Sequence, residues 1–157
     1  MIVAAAAVWL VAAAQVPAQL RLPLAAVVPG AVVSQPFGCT NLQLEPFDRL
    51  CPQHHIHTGI DLAAPPGAEV RSATSGTAHL GFDSGGAGLY VTVVVDAHVS
   101  ILYCHLSAFR IGQGEAVVPG QVVGLVGSSG LATGPHLHLE IQVDGRPVDP
   151  ASWLASP

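Results

Sequence analysis

The sequence contains no lysine, and its five arginines stand singly along 157 residues. Proteins that bind nucleic acid usually gather Lys and Arg on one face, because phosphates are recognised largely through charge. This chain instead carries ten acidic residues and a formal net charge of −5. The missing lysines and the negative balance therefore exclude nucleic acid as an expected partner.

A glycine loop of the kind that binds phosphate is also missing, although the chain has 17 glycines. The densest stretches are SGGAG at residues 84–88 and GLVGSSG at residues 124–130. Neither has the lysine and spacing of a P-loop, and no clear G-x-G-x-x-G sequence follows a predicted strand. We interpret both stretches as hairpin turns.

Long helical patterns are absent as well, since no helical period lasts more than a turn or two after residue 30. Half of the residues are hydrophobic, but the glycines and 13 prolines divide them into short runs such as LYVTVVV and HLHLEIQV. Short alternating runs separated by turns are typical of an all-β domain. We therefore predict a single all-β domain of roughly 120 residues with a mostly antiparallel sheet.

The first fourteen residues, MIVAAAAVWLVAAA, are uninterruptedly apolar. This run is shorter than the roughly 20 residues of a transmembrane helix and suits the apolar region of a signal peptide, although no positively charged residue precedes it. We expect residues 1–14 to be a signal peptide or a short membrane anchor, residues 15–33 to be a linker, and residues 34–157 to form the domain. The protein is then expected to be secreted or to lie in the cell envelope.

Three cysteines make an odd count. Cys39 and Cys51 bracket the loop CTNLQLEPFDRLC, and a disulfide between them would be compatible with export. Cys104 stands beside His105, and alternation along a strand would point the two side chains to opposite faces. We expect the Cys104 thiol to be a buried structural group.

The run HLHLEIQV at residues 136–143 is the most informative feature of the chain. Its polar and apolar residues alternate strictly, which predicts a strand with one face in the core. His136 and His138 then point the same way, close enough to bind one metal ion or to divide the work between ligand and base. Glu140 shares their face, where it could orient a ligating imidazole or simply face solvent.

A second motif, HTGID, precedes this strand by about eighty residues. Its His57 and Asp61 are four apart, an even offset that aims both side chains to one side if the segment is extended. Histidine and aspartate donors suit zinc, which in catalytic sites takes three protein ligands and leaves a position for water. With His105 in YCHLS, the motifs indicate a three-ligand zinc site and two spare histidines, although an isolated H-x-H is more often solvated than ligating.

These motifs resemble, in order, those of the LytM-type, lysostaphin-like zinc metallopeptidases of the M23 family. The resemblance runs from about residue 34 to about residue 152. The segments that carry it are HTGIDLAAPPGAEVRSA, YCHLS, GQVVGLVGSSGLATGPHLHLE and GRPVDP.

The resemblance implies that one zinc ion per chain is held by His57, Asp61 and His138. It further implies that His105 and His136 stay off the metal as the catalytic pair. A mostly antiparallel sheet of LytM type, similar to a duplicated hybrid motif, would carry these groups in an open groove, with the glycine-rich stretches as walls.

The function implied by the resemblance is that of an exported zinc metalloendopeptidase acting on the peptides of bacterial peptidoglycan, whether cross-links or stems. One alternative is a catalytically silent module that binds and activates a wall amidase, but such relatives usually have lost ligands and all five positions are filled here. Another alternative is a β-barrel carrier with incidental histidines, for which a lysine in an exposed hairpin would be expected. We expect the domain to be a monomer.

One segment departs from the family pattern. VVVDAHVSILY crosses between strands through a shorter, glycine-free turn, which we expect to shorten a hairpin beside the groove. The remaining histidines lie outside the motif positions, and we expect them on the solvated surface: His54, His55, His79 and His98.

Overall fold

The computed structural model describes residues 21–155, and within them the chain forms twelve short β-strands and two short helices. In chain order the elements are α1 (Leu24–Val27), β1 (Val32–Gln35), β2 (Gly38–Thr40), β3 (His55–His57), β4 (Ile60–Ala63), β5 (Glu69–Arg71), β6 (Gly76–Asp83), β7 (Gly88–Val94), β8 (Val99–Phe109), β9 (Ala116–Val117), β10 (Val122–Val126), β11 (His136–Val143), β12 (Arg146–Val148) and α2 (Pro150–Ala155). Glycine and proline turns keep most of the strands short.

Ten of these strands form one sheet, and every strand pair in it is antiparallel. Its main path is β1-β4-β11-β8-β7-β6-β9, while β10 pairs with β5 and β8, and β12 pairs with β11. Strands β2 and β3 form a separate two-stranded ribbon. The prediction of an all-β, mostly antiparallel fold is confirmed.

Strand β11 separates the core from the polar face. Its Leu137, Leu139 and Ile141 are completely buried, and they pack beside Ile101 and Tyr103 of β8, which are also completely buried. Burying one such aliphatic side chain contributes about 1.5–3 kcal/mol. Because successive residues of a strand point to opposite faces, this burial directs the intervening polar residues of β11 to the other side of the sheet.

Strand β8 contains a bulge beside the centre of the sheet. Val91 of β7 is opposite Tyr103, whereas Leu89 is opposite Leu106, so two steps along β7 match three along β8. His105 lies within this bulge and has a left-handed backbone, with φ of 60°. The extra residue interrupts the alternation of side chains along the strand.

The bulge corrects one expectation from the sequence. Cys104 is buried, as a structural thiol should be, and burial raises its pKa to about 12. However, Cys104 and His105 line the same groove and do not point to opposite faces. Cys104 is opposite His138 of β11, so it shares the polar face of that strand.

The packed body also begins earlier than the boundary expected at residue 34. Val27 of α1 and the following Val28 are almost completely buried in the core. Helix α1 is ended by Pro29, which forces Val28 out of the helical conformation. Residues 22–33 are therefore part of the fold, because Leu22 and Leu24 pack against the core and Val32 and Val33 pair with β4, although the side chains of these two valines are exposed.

The N-terminal and C-terminal segments of the described chain are joined. The Arg21 guanidinium lies 3.8 Å from the Trp153 ring centroid, and its Nη1 donates to the Trp153 carbonyl at 2.9 Å. The expected signal peptide or anchor, residues 1–14, lies outside the described residues. Among those that are described, no helix is long and apolar enough to cross a membrane.

A disulfide closes the loop that leads into β3. Cys39 and Cys51 are bonded, with their Cα atoms 5.3 Å apart, while Cys104 is a free thiol. The loop returns the chain so that β2 and β3 pair, with Gly38 opposite His57. The disulfide therefore braces the ribbon that presents His57.

We predict that reduction of this disulfide lowers the melting temperature but leaves bound metal in place, since no cysteine is a proposed ligand. In the chain-entropy model, closing a loop of this size stabilises the fold by about 3 kcal/mol. Thermal melts of oxidised and reduced protein, with metal content measured in each, will test this. Cys104→Ala should show the same drop on reduction.

Intact-mass analysis provides an independent check. Alkylation of the denatured, unreduced protein should modify one thiol, that of Cys104. Modification of three thiols would show that Cys39 and Cys51 are not bonded.

Candidate metal centre

Three donor atoms converge on the polar face of the sheet. His57 Nε2 lies 3.1 Å from Asp61 Oδ1 and 3.0 Å from His138 Nδ1, and the last two atoms are 3.0 Å apart. A tetrahedral zinc ion with bonds near 2.0–2.1 Å would separate its donors by about 3.3 Å. The three atoms are thus arranged like one face of a zinc coordination tetrahedron. Among the described residues, His57, Asp61 and His138 form a group that could hold a metal ion.

Strand pairing positions these donors. Asp61 of β4 is directly opposite His138 of β11, so their side chains share one face of the sheet. His57 reaches the same point from the end of β3, where its Nδ1 bonds to the Pro36 carbonyl at 2.9 Å. Since a carbonyl oxygen only accepts, Nδ1 carries the hydrogen and Nε2 is free to bind a metal.

The HTGID motif is not one extended segment, as its spacing had suggested. In a continuous strand, residues four apart would be about 13 Å from each other, too far to share a metal ion. Instead, the chain leaves β3 after His57 and begins β4 at Ile60, and the two strands pair with different partners. This break between the strands brings His57 and Asp61 together.

Gly59 lies at the break, directly against the ligand on β11. A Cβ atom there would contact the Leu139 carbonyl oxygen and would lie 2.8 Å from Cε1 and Nε2 of the His138 ring. Any side chain would therefore displace either β11 or the imidazole. The glycine in HTGID is required by the close approach of β11.

Glu140 lies beside the outer nitrogen of the His138 ring. Its Oε2 lies 3.7 Å from His138 Nε2 and accepts a hydrogen bond of 2.6 Å from Thr58 Oγ1, while Gln142 Nε2 donates to Oε1 at 2.6 Å. Burial raises the pKa of Glu140, but the nearby His138 imidazole and the hydrogen bonds from Thr58 and Gln142 lower it below its usual value. Of the two alternatives for Glu140, the geometry favours an anion that orients His138.

The charges at the centre attract a cation. Burial alone would raise the pKa of Asp61, yet hydrogen bonds with His138 and His57 lower it well below its ordinary value. Burial lowers the pKa of His138, and its contacts with Asp61 and Glu140 outweigh this and raise it to about 9. The same carboxylates that draw a proton to His138 would favour a metal cation between the three donors.

The two remaining motif histidines lie beside the donors, and each is held by a hydrogen bond at its Nδ1 atom. His105 Nδ1 donates to the Ser129 carbonyl at 2.9 Å, and His136 Nδ1 donates to the Gly134 carbonyl at 2.8 Å. Their ring centroids are 4.8 Å apart, and His136 Nε2 is 3.7 Å from Asp61 Oδ2. Burial lowers the pKa of His105, which favours its neutral form. The structure thus gathers all five predicted site residues.

Asp61, His105, His136 and His138 line an open groove of about 350 Å³, while His57 is completely buried behind it. Its lining includes Leu42, Leu44 and Glu45 of the disulfide loop, together with Gly85–Ala87 and Leu131. Cys104 and Leu102 also line the groove, along with Thr133.

Two expectations about groove-lining segments need correction. Residues 124–126 of GLVGSSG belong to β10, and only the following residues form a loop, because β10 continues pairing with β8 there. The glycine-free turn at residues 95–98 lies at the far end of β8 from His105 and is not among the groove residues. Its length therefore does not alter the wall of the groove.

The other histidines lie away from the donors. His54, His79 and His98 are exposed. His55 is half-buried, and its Nδ1 donates to the Glu45 carbonyl at 2.7 Å. His55 thus supports the disulfide loop.

Comparison with known proteins agrees with this geometry. The model for Peptidase family M23 matches residues 55–150, which contain all five site residues. The chain belongs to peptidase family M23. The crystal structure of a zinc-containing peptidase from Vibrio cholerae is similar to this one, with a TM-score of 0.67 and 29% identity, covering 80% of this chain and 37% of that chain.

Two characterised relatives are similar in sequence. DD-carboxypeptidase/endopeptidase Mpg of Neisseria meningitidis serogroup B is 43% identical over 123 residues, which are 76% of this chain and 26% of that protein. Peptidoglycan DD-endopeptidase ShyA of Vibrio cholerae is 39% identical over 93 residues, or 59% of this chain and 22% of that protein. The chain spans about a quarter of the length of these relatives.

Thr58 and Ser129 contact the site but were not among the predicted residues. Thr58 lies inside HTGID, and its hydroxyl donates to Glu140. Ser129 lies in the glycine-rich stretch, and its carbonyl holds His105. Both residues lie in motifs that the sequence marks as important, but their hydrogen bonds to Glu140 and His105 depend on tertiary contacts that the sequence pattern does not reveal.

We predict that Gly59→Ala weakens zinc binding by about 10- to 100-fold, as loss of ligand orientation commonly does. The added methyl group would push the His138 ring out of line with the other donors. Competition with a chelator of known affinity measures the effect. Gly112→Ala is the matched control, because the nearest atom to its Cβ is 3.7 Å away; equal affinities for the two variants would show that His138 tolerates the methyl group.

Proposed function

We propose that this M23 domain is a zinc-dependent endopeptidase that hydrolyses peptide bonds of bacterial peptidoglycan. The observation that carries the proposal is that three potential metal ligands lie beside two imidazoles, His105 and His136, which are held at Nδ1 by carbonyl groups and line an open groove. The names of Mpg and ShyA support a DD-peptide bond as the one that is cut.

The donor set fits zinc, which is bound in catalytic sites by three nitrogen or oxygen ligands. His57, Asp61 and His138 would hold the ion, with Glu140 fixing the ring of His138. When bound, zinc lowers the pKa of its water to about 7 and polarises a carbonyl group. The protein's own side chains must then move the protons.

Two proton tasks arise in hydrolysis of a peptide bond. One group accepts the proton of the attacking water, and another stabilises the negative charge on the carbonyl oxygen and supplies a proton to the leaving amine. His105 suits the first task, because burial lowers its pKa and keeps Nε2 unprotonated. That leaves the second task to His136, whose Nε2 lies 3.7 Å from Asp61 Oδ2.

The groove suits an extended peptide. It is open to solvent, and Gly85 and Gly86 in its lining allow a substrate backbone to approach the chain closely. The disulfide loop contributes apolar side chains to this lining. We further propose that the protein acts outside the cytoplasm, which the disulfide supports because such bonds persist in oxidising compartments.

Digestion of purified peptidoglycan tests the proposal directly. The zinc-loaded protein should convert cross-linked muropeptides into products with newly formed peptide termini, detected by mass spectrometry. A chelator should stop the reaction and added zinc should restore it. Release only after a wall amidase is added, with cleavage between sugar and peptide, would instead identify an amidase activator.

Substitution of the histidines should separate ligands from proton-transfer groups. We predict that His138→Ala loses both zinc and activity, because it removes a donor. His105→Ala and His136→Ala should keep zinc while turnover falls by about two to four orders of magnitude. Metal analysis and muropeptide release are measured for each variant, with the exposed His98→Ala as control. An equal loss of zinc in all three variants would contradict this division of roles.

A further inference from the structure

The backbone of His105 needs external support. Its φ of 60° lies in the left-handed region, which side chains other than glycine rarely adopt and which persists only where the surroundings hold it. Its amide donates to the Ala87 carbonyl at 2.8 Å, which fixes one side of the bulge. The side chain is held separately, through the Ser129 carbonyl.

Ser129 contacts both strands around this bulge. Its hydroxyl donates to the Leu106 carbonyl at 2.7 Å and accepts from the Leu89 amide at 2.9 Å. Its own carbonyl accepts the Nδ1 hydrogen of His105 at 2.9 Å. One residue therefore ties β7, β8 and the His105 ring together.

The segment around Ser129 packs closely against the start of β7. A Cβ atom on Gly88 would collide with the Ser129 backbone, and one on Gly130 would collide with the Gly88 backbone. Next to this contact, the Leu131 amide donates to the Gly86 carbonyl at 2.8 Å. This packing brings the segment against β7, and the two hydrogen bonds of the Ser129 hydroxyl then fix where its carbonyl lies.

We propose that Ser129 is the positioning residue for His105. Its hydroxyl fixes its backbone between β7 and β8, so that its carbonyl selects the Nδ1-protonated tautomer of His105 and aims Nε2 into the groove. The kinetic part of this inference rests on the proposed peptidase function. The tautomer and orientation of the His105 ring do not depend on that function, and they can be measured in substrate-free protein.

Nitrogen-15 NMR of the zinc-loaded protein tests the first part. The His105 imidazole should show the Nδ1-protonated form as its single neutral tautomer. In Ser129→Ala the signal should become that of a tautomer mixture, because the carbonyl is no longer held. An Nε2-protonated His105 in the unaltered protein would overturn the proposal, whether or not the protein cleaves peptidoglycan.

Kinetics test the consequence for catalysis. Ser129→Ala should keep its zinc and its KM within about twofold, while kcat falls about 10- to 100-fold, as is common for loss of an orienting group. Ser129→Thr, which keeps the hydroxyl, should recover most of kcat and the single tautomer. Ser128→Ala is the matched control, since Ser128 is the exposed neighbour in the same loop.

The outcomes distinguish this inference from the proposed function. Inactivity of the unaltered protein with an Nδ1-protonated His105 would reject the peptidase function and leave the positioning role standing. An active protein whose kcat and His105 tautomer are unchanged by Ser129→Ala would reject the positioning role alone. Thermal melts of each variant show whether it is folded, and the measurement on the unaltered protein does not depend on any variant.

Discussion

The antiparallel pairing of β11 with β4 is the interaction on which the metal centre depends. It places His138 opposite Asp61 on the polar face while the alternate residues of β11 are completely buried. A shift of one residue in this register would turn the imidazoles into the core and the leucines into the groove. The hydrophobic burial that stabilises the sheet therefore also fixes which side chains can meet a metal ion.

A second constraint is the close approach of chain segments where side chains would not fit. Gly59 lets the His138 ring lie directly on the backbone of HTGID, and the contact between Gly88 and Gly130 brings the loop after β10 against β7. Both contacts determine how closely these strands and loops approach each other, and so where the site residues lie. Backbone carbonyl groups also orient three of the four site histidines, His57, His105 and His136.

The sequence predicts regular features of this protein well and irregular ones poorly. Strict alternation in HLHLEIQV correctly indicated a strand with one buried face, and the short runs between glycines and prolines correctly indicated an all-β fold. Alternation failed at Cys104 and His105, because a bulge adds a residue without changing the local hydrophobic pattern. It also failed in HTGID, where the strand break follows from pairing with two different partners. The segment expected to be a linker includes Val27 and Val28, and only their packing shows that these two residues belong to the core.

The donors of the metal centre are far apart along the chain, since 81 positions separate His57 from His138. Loops of that length close late and at an entropic cost, so the three donors meet only after β11 has joined the sheet. A metal ion that binds this assembled group, and not the unfolded chain, would stabilise the native state by mass action. Under the proposed function, hydrolysis would therefore require that β4 and β11 have already paired, because the metal ligands come together only then.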